Sequence, residues 1–307
     1  MWGNKKVIYA VFLLAVFMNG ATDAANSLTG VVCCRILPYK WAALLSAALN
    51  FSGLSVFSSF SPKVLKTVES LASGGEKEAF AVLLTVALFA GGAWIFSVPT
   101  SESHALVAAL AGVTLAKGQG ADLYKLAFIT LGAVASALLG ALMGAAVCFF
   151  VKEKAKINRT LAIFGFALSS FFHGAQDGQK FLALAVATNL LNFNGFSVIL
   201  VGAAMFVGTL LGGRRIVEKL GEKMTDLSLR SAVSSDIGSA VSLFIITLLG
   251  IPSSTTHTKT CAIAGASAAM GAKVNKKELF TIALGWILTV PACIILAYFI
   301  TKTINWL

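Results

Sequence analysis

Apolar runs dominate the chain. Segments 41–60, 79–97, 122–150, 161–191, 195–211, 233–251 and 279–300 each supply the roughly 17–25 mostly apolar residues that a helix needs to cross about 30 Å of hydrocarbon. Seven such segments predict an all-α polytopic membrane protein. Two more stretches, 100–116 and 253–272, are short, rich in Gly, Ala, Ser and Thr, and follow an apolar helix with almost no loop. Irregular backbone at membrane depth must be buried in protein or line a cavity, so these stretches are predicted to be re-entrant half-helices.

The few polar residues that interrupt the apolar runs recur. Asn19-Gly20-Ala21-Thr22-Asp23 is echoed 154 positions later by His173-Gly174-Ala175-Gln176-Asp177. Pro99-Thr100-Ser101-Glu102-Ser103-His104 is echoed 153 positions later by Pro252-Ser253-Ser254-Thr255-Thr256-His257. Two independent motifs sharing one offset predict two repeated halves, 1–155 and 156–307, joined at the charged stretch 152–159. Each half runs as a helix with a polar break, a helix, a charged loop (61–78 or 212–230), a helix, a Pro-headed polar turn, a re-entrant segment and a closing helix. Transporters built from repeats place their site where the halves meet.

Composition removes several alternatives. With 57% hydrophobic and 12% charged residues and a mean hydropathy of +0.85, water is not the main solvent. The net charge of +11 sits between the apolar segments, which fits loop anchoring and offers no continuous face for nucleic acid. The five cysteines show no CxxC spacing, so they predict neither disulfides nor a metal site. Lys5 and Lys6 ahead of an apolar run have the look of a cleaved signal peptide, but the polar stretch that follows is a repeated element and is expected to stay. The expected location is the plasma membrane, multi-pass. With four crossings per half, the positive-inside rule puts both charged loops and both termini in the cytoplasm. An even number of crossings makes the halves parallel and an odd number makes them inverted, and charge bias does not choose between them.

Asp23 and Asp177 stand among small residues inside apolar segments, where an ionised carboxylate costs at least ~2.5–3.5 kcal/mol and should face a cavity or a cation. Asn19, Asn26, Gln176, Gln179, Thr22 and Ser27 add neutral oxygens, a donor set suited to a hard cation such as sodium, and the nearby glycines allow a helix to unwind and expose its own carbonyls. The plainer alternative is polar glue between helices, with the Asp neutralised by a lysine such as Lys180. Recurrence at matched positions favours function.

Pro99 and Pro252 suit the first turn of a helix. Around them crowd Thr100, Ser101 and Ser103 in one copy and Ser253, Ser254, Thr255, Thr256 and Thr258 in the other. Free N–H groups, the positive end of the dipole and hydroxyl donors together make a cradle for a tetrahedral oxyanion. Simple capping by Ser and Thr is the bland counterpart. His104 and His257 read as hydrogen-bonded struts. Glu102 is the odd member, since it would repel a dianion unless it carries a proton or turns to a cation. Asp236 reads as interfacial.

These four motifs resemble the signatures of the inorganic phosphate transporter family, whose halves each carry a Gly-Ala-Asn-Asp-Val type sequence and a Pro-x-Ser-Thr-Thr-His sequence. The resemblance spans the chain, and Pro252 to His257 matches throughout. It implies a symporter of inverted repeats, against the four crossings counted per half. Asp23, Asn26 and Asp177 would serve the coupling cation, and Ser101, Ser103, Ser254, Thr255 and Thr256 would contact phosphate. Thr22 and Gln176 depart from the family's Asn before Asp, and Glu102 and Ser103 from the two Thr of the first cradle.

The expected function is cation-coupled symport of inorganic phosphate by alternating access, with no enzymatic activity and no cofactor beyond sodium or a proton as coupling ion. Gln176, Gln179 and Glu102 join Asp23, Asn26 and Asp177 as candidate cation residues; His104, His257, Pro99 and Pro252 are supporting ones. Phosphate and membrane lipid are the expected partners, with homo-oligomerisation left open. A sulfate permease is the near rival, because sulfate is also a tetrahedral oxyanion. An intramembrane Ser/His hydrolase is disfavoured because catalysis needs one asymmetric nucleophile and base, whereas the polar motifs here are duplicated. A channel would be built on subunit-symmetric rings.

Overall fold

The computed structural model describes residues 5–23, 25–71, 75–118, 123–151 and 159–306, so the expected junction between the halves falls outside the described residues up to Arg159. The first half comprises α1 (Lys5–Thr22), α2 (Ala25–Cys33), α3 (Tyr39–Phe60), α4 (Lys63–Leu71), α5 (Glu76–Phe96), α6 (Glu102–Ala116) and α7 (Leu123–Phe150). The second comprises α8 (Arg159–Ala187), α9 (Gly195–Leu211), α10 (Arg214–Glu218) with a π turn Lys219–Lys223, α11 (Leu229–Leu249), α12 (Thr255–Ala269) and α13 (Lys276–Trp306). All seven long apolar segments are helices, and both expected re-entrant stretches are present as α6 and α12. The repeat holds element by element: α5, α6 and α7 begin at 76, 102 and 123, and α11, α12 and α13 at 229, 255 and 276, each 153 positions later.

Each re-entrant segment is the second arm of a helical hairpin, and the turns between arms share one local logic. α5 ends on Ser97 and α11 on Gly250, both in the left-handed region at φ 56° and 73°. There the backbone folds back, Val98 N–H bonding to Ala93 O and Ile251 N–H to Ile246 O, which satisfies carbonyls at the helix end. Pro99 and Pro252 follow, and then Ser101 and Ser254 cap α6 and α12 by accepting from His104 N–H and His257 N–H. The prolines therefore stand two residues before the caps, outside the first helical turn expected for them, and two residues past the left-handed stops, where a proline keeps the preceding helix from continuing.

Contacts at the hairpin bases fix the handedness of the repeat. Lys5 pairs with Glu76 at 3.4 Å and Lys117 with Glu78 at 2.9 Å, so the start of α1, the start of α5 and the end of α6 lie at one level. The tip meets the middle of the α1–α2 unit, where Thr22 bonds Glu102. In the second half Thr225 bridges to Val274 and Ser228 reaches Met270, so α11 and α12 also start and finish together. That base lies beside the end of α2, where the Cys34 thiol contacts Leu227 O at 3.6 Å. The two hairpins thus enter from opposite faces and the repeats are inverted.

Six helical stretches among the described residues are long and apolar enough to cross a bilayer, α5 and α11 among them. Because their hairpins return to the face they left, α5 and α11 add no net crossing; the chain passes from face to face three times per half, through α1–α2, α3 and α7, then through α8, α9 and α13, of which α8 and the 17-residue α9 are not among those six stretches. This corrects the count of four per half and with it the placement of loops 61–78 and 212–230 on one face. Length and hydropathy register the first arm as a full span; only its partner shows that it turns back.

The halves interlock. α6 packs on α13 and α12 on α7, while α1 packs on α9 and α3 on α8, always across the repeat boundary. Gly132 of α7 faces Pro252 at one tip and Gly285 of α13 faces Val98 at the other, again 153 positions apart. Further along, Gly140 and Gly144 lie against the α12 backbone at Thr258 and Ala262, and Gly112 of α6 against Ile294. Small residues let helix backbones approach within van der Waals contact, the main attraction left where lipid removes the hydrophobic drive between helices. The lipid-facing side is apolar: Leu131, Leu138 and Leu142 of α7 and Ile287, Ile295 and Phe299 of α13 are exposed. α8, with Ser169, Ser170, His173, Gln176, Asp177, Gln179 and Lys180 buried, is shielded inside.

Candidate functional site

The two hairpin tips meet between the aspartate motifs. Ser103 donates to Ser253 O at 2.9 Å, and the His104 and His257 rings lie 4.9 Å apart, with His257 packed 3.7 Å from Trp286 of α13. The N-terminal ends of α6 and α12, whose first N–H groups have no partner within their own helix, therefore converge from opposite faces.

Asp23 sits at the break between α1 and α2. Thr22 back-bonds toward Met18 O, a habit that bends helices, and Asn26 N–H reaches Asp23 O, closing a tight turn. The Asp23 carboxylate accepts from Thr256 Oγ at 3.1 Å and from the Asn19 amide at 3.4 Å. The same Asn19 amide lies 3.3 Å from Asp177 Oδ2 and so bridges the two motif carboxylates. Asn26 donates to Thr256 at 2.9 Å.

Asp177 is bound differently. α8 runs unbroken through it, so the expected unwinding occurs at Asp23 and not here. The cause is local: His173 and Lys180, one turn before and after, lie 3.1 and 2.5 Å from its carboxylate, and such pairs along one helix face hold the helix together. Oδ2 also accepts from Thr255 at 3.0 Å. The Lys180 ammonium donates to Asp177 Oδ1 at 2.5 Å, Ser103 Oγ at 2.6 Å and Ser253 O at 2.5 Å, which uses all three of its protons.

The remaining expected residues divide. Glu102 Oε1 bonds Thr22 at 2.6 Å, beside Asp23. Ser101 and Ser254 are engaged as caps. Gln176 turns away from the carboxylates and braces the second tip through Ser253 Oγ and Ile251 O, held in turn by Thr247. Gln179 points to Leu65 N of α4 and lies outside this group. Asp236 is not interfacial: it is buried and ion-paired with Lys259 across the arms α11 and α12. Asn19, His173 and Lys180 belong to the site although sequence reasoning gave them no leading role. His173 and Lys180 were detectable, since spacings of four and three place them on the Asp177 face of any helix; Trp286 left no signal.

The site is closed, with Asp23 4%, Asp177 2% and Thr256 1% exposed. Asn19 Oδ1, Asn26 Oδ1 and Glu102 Oε2 are buried without a hydrogen-bond partner. Unpaired buried acceptors are costly, and oxygen acceptors of this kind flanking a carboxylate fit a hard cation. Asp23, His173 and Asp177 also present ligand atoms within 4.8 Å of one another.

Known proteins resemble the chain along nearly its whole length. A probable low-affinity inorganic phosphate transporter of Rhizobium meliloti (strain 1021) is 32% identical over 94% of this chain and 93% of its own length. One of the same description from Bacillus subtilis (strain 168) is 29% identical over 94% of each chain. A solved structure, the sodium-dependent phosphate transporter, superposes with a TM-score of 0.86 over 99% of both chains at 20% identity, a likeness of fold. The profile of the phosphate transporter family matches twice, at residues 19–160 and 151–297, once per half. With both halves matched and the motif pairs meeting at the centre of the molecule, the chain belongs to the phosphate transporter family.

Proposed function

We propose that the chain is a secondary active symporter that moves inorganic phosphate with sodium. Phosphate is held between the N-terminal ends of α6 and α12, and sodium sits at Asp23. The observation that carries this reading is the convergence of two oppositely inserted hairpin tips on the motif aspartates. Helix N-termini favour an oxyanion through free N–H groups and the dipole, and Ser103, Thr255 and Thr256 add hydroxyls. The names of the relatives support phosphate, and that of the structural neighbour supports sodium.

The hydrogen bonds suggest how the two ligands couple. Thr256 spends its hydroxyl proton on Asp23, so it has none for an anion. A cation bound to Asp23, Asn19 Oδ1 and Asn26 Oδ1 takes over the carboxylate and releases that hydroxyl to donate to phosphate. Because the site is buried, access from either face requires one hairpin to move against α7 or α13, and inverted repeats make the two movements equivalent.

A second reading places a proton on Glu102. Thr22 has one hydroxyl proton and two acceptors, Met18 O at 2.8 Å and Glu102 Oε1 at 2.6 Å, and a proton on the carboxyl resolves the conflict. Uptake of labelled phosphate and sulfate into proteoliposomes under imposed sodium or proton gradients decides. Phosphate uptake driven by sodium and abolished in Asp23→Asn supports the first reading. Uptake driven by protons, with a pH profile flattened in Glu102→Gln, supports the second, and sulfate uptake exceeding that of phosphate overturns both.

A further inference from the structure

The two halves differ at one matched position. Asn26 follows Asp23 by three residues, and Lys180 follows Asp177 by three, 154 positions later. Both reach across to the hairpin tip of the other half: the Asn26 amide donates to Thr256, and the Lys180 ammonium donates to Ser103, whose counterpart 153 positions on is Thr256. One station in the inverted pair thus holds a neutral amide and the other a charge.

The surroundings of that charge are those of a bound ion. Lys180 Nζ is ringed by a carboxylate oxygen at 2.5 Å, a hydroxyl at 2.6 Å and a backbone carbonyl at 2.5 Å, the oxygen types a hard monovalent cation takes. The residue is 4% exposed and therefore depends on Asp177 for its charge balance. In the first half no lysine or arginine among the described residues pairs with Asp23; its hydrogen bonds come from neutral Asn19 and Thr256. There the buried oxygens Asn19 Oδ1, Asn26 Oδ1 and Glu102 Oε2 remain unmatched.

We propose that Lys180 is a tethered counter-charge that permanently fills, in the second half, the place a transported cation takes in the first. The chain then has a single exchangeable cation site, at Asp23. This rests on the sodium symport reading above. It makes transport economical in ions: one sodium moves with each phosphate through this pair of stations, since the ammonium stays with the protein.

The test is equilibrium binding of radioactive sodium to the purified full-length chain in detergent, with and without inorganic phosphate, followed by reversal-potential measurements in proteoliposomes. Wild type is expected to bind one sodium. Lys180→Asn, which gives the second half the first half's residue, is expected to bind two, with the sodium dependence of uptake steepening from a slope near one toward two. The reciprocal Asn26→Lys is expected to bind none while retaining phosphate binding, and it keeps the question open to decision if Lys180→Asn fails to fold. Wild type binding two sodium ions, or Lys180→Asn still binding one while its phosphate affinity falls at least tenfold, overturns the proposal and makes Lys180 a phosphate ligand. Wild type that binds no sodium yet takes up phosphate overturns the sodium reading as well, so the two failures are distinguishable.

Discussion

Thr256 links the cation motif of one half to the hairpin tip of the other. It donates to Asp23 and accepts from Asn26, joining the α1–α2 break to the opposite hairpin. A hydrogen bond to a charged group contributes about 1.5–3 kcal/mol, and this one is made only while the cation is absent, so Thr256→Val should raise the affinity for the coupling cation by roughly tenfold or more. Apparent phosphate affinity should fall, because the hydroxyl that the cation releases to phosphate is gone. Sodium-concentration curves of phosphate uptake check this, and a shift in the phosphate constant alone would mean that Thr256 serves only the anion. Thr255, bonded to Asp177 beside Lys180, should matter less for the cation: Thr255→Val is expected to leave the sodium constant within about twofold.

The hairpins show what an element can tolerate. α11 and α12 are joined by the buried pair Asp236–Lys259, whereas the matched positions of α5 and α6, 153 earlier, hold Leu83 and Leu106, both buried. The first hairpin shows that two apolar side chains fill this space between arms. Removing one partner strands a charge, so Asp236→Asn should cost about 3–5 kcal/mol. Asp236→Leu combined with Lys259→Leu should be neutral or stabilising for the same reason. Thermal unfolding in detergent of single and double variants measures both, and a double variant less stable than Asp236→Asn would show that the pair has a role beyond bracing. The turn follows the same comparison. Ser97 occupies the left-handed position that Gly250 fills in the other hairpin, and Ser97→Gly should gain up to about 1 kcal/mol from relief of that backbone conformation.

At the scale of the molecule the decisive feature is inversion. Lys5 ties the first hairpin's base to the start of α1 through Glu76, Lys117 closes that base on Glu78, and Cys34 ties the second base to the end of α2. Single cysteines placed at the exposed positions Glu76 and Asp226, in a background without the native five, should therefore react with a membrane-impermeant maleimide from opposite faces. Labelling of both from one face would return the protein to parallel repeats. α13 runs from Trp286 at the tip past Gly112 toward the base of α6, so the end of α13 lies at the level of the start of α1.

The apolar runs, the offset of 153–154 and the pairing of aspartate and Ser/Thr motifs were legible in the sequence. Each depends on local order: helix length, hydropathy, and the few polar residues a membrane tolerates only for a reason. Membership of the phosphate transporter family followed from those same motifs. The side from which each hairpin enters depended on distant partners, Lys5 with Glu76 and Cys34 with Leu227, which no local pattern encodes. The same holds for the charge at Lys180: in sequence it is one lysine three residues past an aspartate, and only the fold brings Ser103 and Ser253 from 77 and 73 positions away to complete its shell. Contacts between residues far apart in the chain are set by how whole helices pack, and that is what the tertiary structure alone decided.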